Sequence, residues 1–286
     1  MKKLLVTLVV GCCLGLAACA GTTPTNESSQ HDVSTVVAQT VQAMTAGPAA
    51  TSQPEIKGIP ASYQNVSFVI PQGLATGSLA GTVNDPEIPY IYPDPDFPSH
   101  IKITLQGYVV STGLQAEVAV LKSDDAIKYN DQYKNTISTL QNLNWIATQP
   151  IPEALSLGFR GVPQIIDFKN GHGIRFLAQI NQGPVPINNQ GLFYYFQGVT
   201  NDGAYFVEAI LPAHASFLAM NGSSDPSAVP QDGIPFPGFT NPNASSEDIQ
   251  AYYEAISAKI DAAGPDAFFP LLSEFDALIQ SIQINP

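Results

Sequence analysis

The sequence predicts an α+β fold: an antiparallel β-sheet built from hairpins with helices packed on one face, behind a signal peptide and a disordered tether. Three observations predict it. Two long runs of β-branched and aromatic residues are each interrupted by a tight-turn signal. Apolar residues recur at helical spacing in separate segments before and after those runs. Strands come first, then a helix, hairpins and further helices, an order that suits an antiparallel sheet with helices packed against it rather than a doubly wound parallel one.

The N-terminus opens with Lys2 and Lys3, followed by an apolar or small-residue run from Leu4 to Ala18. That run is short for a bilayer span and has the form of a signal-peptide core. Leu16-Ala17-Ala18-Cys19 closes it and resembles the lipobox of bacterial lipoproteins. The resemblance implies that the Cys19 thiol receives a diacylglycerol and that the signal, residues 1–18, is cut before Cys19. Acylation of the new amino group would follow. Each buried methylene contributes about 0.8 kcal/mol, so two or more chains hold durably. Ala20 follows the cysteine with no acidic retention signal, which points to an extracytoplasmic, membrane-anchored protein, on the outer membrane where there are two. Cys12 and Cys13 fall in the discarded segment. With Cys19 alkylated, a disulfide framework, a cysteine metal site and a cysteine nucleophile are excluded together.

Charge fits that location. The chain has 11 basic and 24 acidic residues, a net charge of −13. Loss of Lys2 and Lys3 leaves nine basic residues and a net charge of about −15. Such a surface repels nucleic acid and anionic headgroups, so no nucleic-acid partner is expected and the membrane link is the lipid. A composition 44% hydrophobic and 12% charged still supports a large core.

Residues 19–60 read as the lipidated cysteine and a flexible linker rich in Thr, Ser, Ala, Gln and Pro. Val33–Ala46 has helical composition, but a helix this short is marginal alone. Residues 61–286 read as one domain.

That domain opens with "NVSFVIPQGL", Asn65–Leu74, in which Val66, Phe68 and Ile70 alternate until Pro71 ends the strand. A proline-rich loop covers residues 84–100. Ile101–Val110 and Ala116–Leu121 read as the next strands. Ser123 and Asp124 are positioned to cap a helix with apolar face Ala126, Tyr129, Tyr133, Ile137 and Leu140. Two hairpins follow: Ile165–Ile180 turning at Asn170-Gly171, and Leu192–Leu211 turning at Asn201-Asp202-Gly203. Residues 219–243 form a second Gly/Pro/Ser loop. Ser245 and Asp248 make a capping box for a helix through Lys259 that ends at Gly264-Pro265. A final helix begins near Pro270, with Leu271, Leu272, Phe275, Leu278, Ile279 and Ile282 on one face.

"FVIPQGL", the two hairpins and the closing "LLSEFDALIQSIQI" together resemble, in outline, the PsbP/Mog1-type α+β sandwiches. The resemblance implies a largely non-enzymatic accessory module and carries over no catalytic residue.

The chemical motifs point the same way. "GHGIRF", Gly171–Phe176, lacks the third glycine and the following helix of a dinucleotide loop, and it sits in a hairpin. "GSLAG", Gly77–Gly81, has its serine in the wrong place for a nucleophile elbow. His31, His100, His172 and His214 show no ligand spacing, and His172 reads as a solvated turn residue. Asp85, Glu87, Asp94 and Asp96 crowd the first Pro-rich loop, yet their spacing matches no calcium loop and a solvated acidic loop is expected. No metal and no cofactor are expected. The aromatics Phe193, Tyr194, Tyr195, Phe196, Tyr205 and Phe206 alternate, so about half should enter the core; the rest read as packing pairs or a ligand platform. Arg175 should point away from the core and bridge to a neighbouring strand.

The function expected is a non-catalytic binding or accessory module for an envelope component, protein or glycan. Contact residues are expected on the two Pro-rich loops, Tyr90, Tyr92, Phe97, Phe236 and Phe239, with the alternative that these aromatics fold back to cover the sheet edges. Two alternatives stay open: a hydrolase that uses scattered carboxylates such as Asp167, Asp202 and Glu208, and a lipoprotein that binds a carbohydrate or other small ligand.

Overall fold

Alternating residues along the chain build two antiparallel meanders that meet in the middle of one sheet. The computed structural model describes residues 56–84, 97–142, 159–181, 183–223, 225–241 and 243–286. The expected signal peptide, Cys19 and almost all of the linker lie outside the described residues.

β3 (Gly77–Val83), β4 (His100–Gln106) and β5 (Glu117–Lys122) form the first meander; β6 (Phe159–Phe168), β7 (Gly171–Gln179), β8 (Phe193–Thr200) and β9 (Tyr205–Pro212) form the second. β5 pairs with β9, giving the order β3-β4-β5-β9-β8-β7-β6 with every pairing antiparallel. Both predicted hairpins form; the second turns where expected, while the first turns one residue early, at Lys169-Asn170, with Gly171 already in β7 opposite Phe168. In the second, Gly203 takes φ +72°, and Asp202 Oδ1 accepts bonds from Thr200 Oγ1 at 2.5 Å and the Ala204 N–H at 3.0 Å. The glycines of "GHGIRF" serve packing: a Cβ on Gly171 would overlap the Phe168 ring, and one on Gly173 the Gln197 carbonyl.

A smaller sheet pairs β1 (Gly58–Tyr63) with β2 (Val66–Pro71), and β2 with β12 (Gln283–Ile284); β10 (His214–Ala215) pairs with β11 (Phe268–Phe269). β1 begins ahead of the domain start expected at Ala61. β3 occupies a stretch to which the sequence assigned no element.

Helices cover both faces of the large sheet, not one. α1 (Ser123–Tyr129) and α2 (Asp131–Leu140) bury Ala126, Tyr133, Ile137 and Leu140 against Ile174, Phe176, Tyr195 and Phe206. On the other face lie the small sheet, α4 (Ser246–Ala262) and α5 (Leu272–Gln280), which pack Ile256, Ile260, Phe275 and Leu278 with Tyr194, Phe196 and Val207; α3 (Pro237–Thr240) is a single short turn. All eight residues of β8 are buried. A near-continuous apolar strand is the mark of a sheet covered on both sides, so the aromatics of β8 feed two cores and leave no ligand platform on that strand. Each such side chain contributes about 1.5–3 kcal/mol on full burial.

The single helix expected from Ser123 is broken in two. Asn130 is extended (φ −158°, ψ 162°), and its Oδ1 accepts the Tyr133 N–H at 2.9 Å, so an Asx cap restarts the helix as α2. Ser123 is not a cap but the first helical residue. The Ser245/Asp248 capping box forms as predicted, with reciprocal bonds of 3.2 and 2.9 Å.

Candidate functional site

Of the predicted contact residues, Tyr90 and Tyr92 lie outside the described residues, as do Asp85, Glu87, Asp94 and Asp96. Phe239 falls in α3, with its side chain outside the described residues. The other two turn inward. Phe236 is only 5% exposed and meets Tyr252 edge-on at 5.0 Å between centroids. Phe97 is half-buried and packs edge-on against His100, Tyr129 and Tyr133. An aromatic ring beside an uncovered core edge gains more by covering it than by facing water, which corrects the reading of Phe97 and Phe236 as exposed anchors.

The hydrolase carboxylates occupy three separate elements. Asp167 is exposed on β6, and Asp202 is tied into its own turn, whose hydrogen bonds hold its carboxyl below the usual range. Glu208 is buried on β9 beneath α2. Register places Lys102, Ala119, Glu208 and Gln197 in one row across β4, β5, β9 and β8. Tyr133 Oη donates to Glu208 Oε2 at 3.1 Å, and Tyr195 Oη donates to Oε1. Burial pushes the Glu208 carboxyl up to about 7 against the pull of those two hydroxyls, and the charge of nearby Glu117 adds to the push. Glu117, also raised by burial, forms an ion pair with Lys102 Nζ at 2.9 Å. Sequence reasoning named Glu208 but missed Glu117. Its signal was a carboxylate sharing parity with Ala119 and Leu121.

The other face has its own polar cluster. Arg175 is 4% exposed; it donates from Nη1 to the Val162 carbonyl and from Nη2 to Gln164 Oε1, both at 2.5 Å. Its Nε lies 3.3 Å from Asp276 Oδ1 on α5, which also accepts the Tyr194 hydroxyl at 2.9 Å. Burial raises the Asp276 carboxyl against the pull of Arg175. The salt bridge predicted for Arg175 exists, but it is buried and runs to a helix. Val162 sits at φ +52° in the β6 bulge, pinned by that arginine and by Asp261 Oδ1, which accepts its N–H at 2.6 Å. His172 is half-buried and donates from Nε2 to the Leu140 carbonyl at 2.9 Å, so it closes the end of α2.

An open cleft of about 390 Å³ lies at the end of the large sheet. Its apolar part is Ile101 and Val120; its polar rim includes Gln64 and Asn65 from the β1–β2 turn, Thr82, Lys122, Asp125 and Tyr205. Gln64 has φ +52°. A two-residue hairpin with its first central residue at positive φ favours glycine there, and a non-glycine residue in the left-handed region costs on the order of 1–3 kcal/mol. The Gln64 side chain crosses to β3, where Nε2 donates to Thr82 Oγ1 at 2.9 Å. Asn65 Nδ2 donates to the Asn285 carbonyl at 2.8 Å. His100 also borders the cleft, and burial holds its imidazole below the usual range.

Comparison of this chain with protein-family models, curated proteins and solved structures returns no match. The cleft therefore has to be read from its own residues. The sequence singled out none of Gln64, Asn65, Thr82 or Lys122; the one available signal was a glutamine in a hairpin turn position where glycine would relieve strain. Among the described residues no helix is long and apolar enough to cross a membrane, and no three His, Cys, Asp or Glu residues group as metal ligands.

Proposed function

We propose that this chain is a lipid-anchored extracytoplasmic protein, held through Cys19, whose folded unit is a non-catalytic binding or accessory module for an envelope component. The observation that carries the binding role is the contrast between spent and unspent polar groups. The buried carboxylates are bonded to tyrosines, an arginine and a lysine of the fold. The end cleft instead presents polar side chains to open space. The lipobox supports the anchor, and the outline resemblance to PsbP/Mog1-type sandwiches supports an accessory role.

Two experiments test it. Cys19→Ser should abolish palmitate labelling and detergent partitioning; retained label removes the anchor. Capture from solubilised envelope should return the same component with the wild type and lose it with Tyr205→Ala.

A second reading, an extracytoplasmic hydrolase, is favoured by the raised carboxyls of Glu117 and Glu208, a pattern found in general acids. Glu208 is 9% exposed and held by two tyrosines, which suits a structural role better. Turnover in a broad hydrolase panel, abolished by Glu208→Gln in a folded protein, would establish this second reading instead.

A further inference from the structure

The end cleft combines four features that together narrow its ligand. At about 390 Å³ it stands near the lower end of the range for ligand pockets, roughly 300–1,000 Å³, so it suits one or two small rings rather than a folded surface. Its lining side chains bring one cation, Lys122, and one anion, Asp125, whose carboxylate also lies 3.6 Å from Lys128 Nζ, beside the His100 imidazole that burial holds below its usual range. On a chain of net charge −13, a site with charges of both signs at its rim carries no strong field of one sign, which suits an uncharged ligand.

The third feature is the mixture of groups. Ile101 and Val120, 8% and 3% exposed, close its floor and Tyr205 offers a half-exposed ring, while Gln64, Asn65 and Thr82 can each donate and accept hydrogen bonds. The fourth is that these groups are held but not saturated. Gln64 and Asn65 each spend a side-chain N–H on the protein, on Thr82 Oγ1 and the Asn285 carbonyl. Among the described residues, Asn65 Oδ1 and the Tyr205 hydroxyl have no hydrogen-bond partner, while the Gln64 carboxamide bonds to both Thr82 and Tyr63. Gln64 is kept there at the cost of a left-handed backbone, and strain of that kind clusters at ligand sites.

A body with apolar C–H faces, a rim of hydroxyls that both donate and accept, and no charge is a sugar ring. We propose that the end cleft binds a carbohydrate, with Tyr205 against one face of the ring and the carboxamides of Gln64 and Asn65 on its hydroxyls. This names the ligand class for the binding-module reading and rests on it.

The test uses the full chain, purified in a zwitterionic detergent without a sugar headgroup. Glucose, galactose, N-acetylglucosamine and cellobiose are titrated by calorimetry and saturation-transfer NMR, with inorganic phosphate as the anionic control. At least one sugar should saturate with a Kd between about 10 μM and 1 mM, unchanged from low to high salt. Tyr205→Ala and Gln64→Gly should each weaken it by about tenfold or more, and Tyr205→Phe by no more than about threefold. A sedimentation arm with isolated envelope polysaccharide distinguishes a ring in a polymer from a free saccharide. Retention on the polymer alone, lost with Tyr205→Ala, supports the proposal with the polymer as source.

The proposal is overturned if no sugar saturates by about 10 mM and no polymer is retained, if only phosphate binds, or if folded Tyr205→Ala binds like the wild type. Capture of an envelope protein in the same preparation would then leave the binding module standing without its sugar; failure of both would end both readings.

Discussion

The interior of the large sheet and its open end are built from the same residue types, tyrosine, carboxylate, lysine and carboxamide, and β9 serves both. Tyr205 at the start of β9 borders the cleft, while Glu208, three positions on, is buried under α2 on the opposite face. In the interior every one of these groups that could carry charge has a bonded or ion-paired neighbour, because a buried unpaired charge costs more than the fold can tolerate. At the end, water substitutes for the missing partners, so polar groups can stay uncommitted until a ligand arrives. Burial, more than residue type, thus separates groups that hold the fold from groups that can bind.

The contrast can be broken most forcefully in the interior. Arg175→Ala leaves the Asp276 carboxylate without its cation and removes two bonds that hold the β6 bulge. Loss of about 3–5 kcal/mol is expected in urea unfolding. A loss below about 1 kcal/mol would show that this pair is not structural.

Next in size is the pH dependence of Glu208. Its folded value, about 7, lies above the ordinary 4.5, so the folded state binds more protons than the unfolded state between those values. Stability therefore falls as pH rises from about 4.5 to 7, by on the order of 3 kcal/mol from this group. Glu208→Gln removes the titration, so the stability of the variant relative to wild type should improve by about that amount across the window. A difference that stays flat with pH would mean that Glu208 titrates normally.

Smaller effects are expected at the end of the sheet. Tyr205 is half-exposed and contributes no side-chain hydrogen bond to the described residues. Tyr205→Ala should cost no more than about 1 kcal/mol in the same assay while abolishing capture of the ligand. A loss comparable to that of Arg175→Ala would place Tyr205 with the interior.

Much of the fold was legible because its signals are local. Asn201-Asp202-Gly203 sets a hairpin turn by its own dihedrals, and Ser245 with Asp248 caps α4 within four residues. β3 was missed because "GSLAGTV" has two glycines and weak alternation, and it becomes a strand through its pairing with β4. Asn130 was passed over because apolar residues keep helical spacing on both sides of it, while the break depends on its own side chain. The double covering of the sheet was visible in "LFYYFQGV", a run too apolar to have a solvated face. The cleft was least legible. It draws on the β1–β2 turn, β3, β4, β5, α1 and β9, and no one segment carries its signal.

If the end of the sheet binds while the interior only holds, Gln64 should matter to the ligand and not to the fold. Gln64→Gly relieves the left-handed strain, which is worth on the order of 1–2 kcal/mol. Added freedom in the unfolded chain and the lost contact to Thr82 offset most of that gain. Melting and sugar titration of the full-chain variant, measured side by side with wild type, should show a melting temperature equal to or above wild type together with binding about tenfold weaker. A lower melting temperature with unchanged binding would instead mean that Gln64 holds the fold and not the ligand.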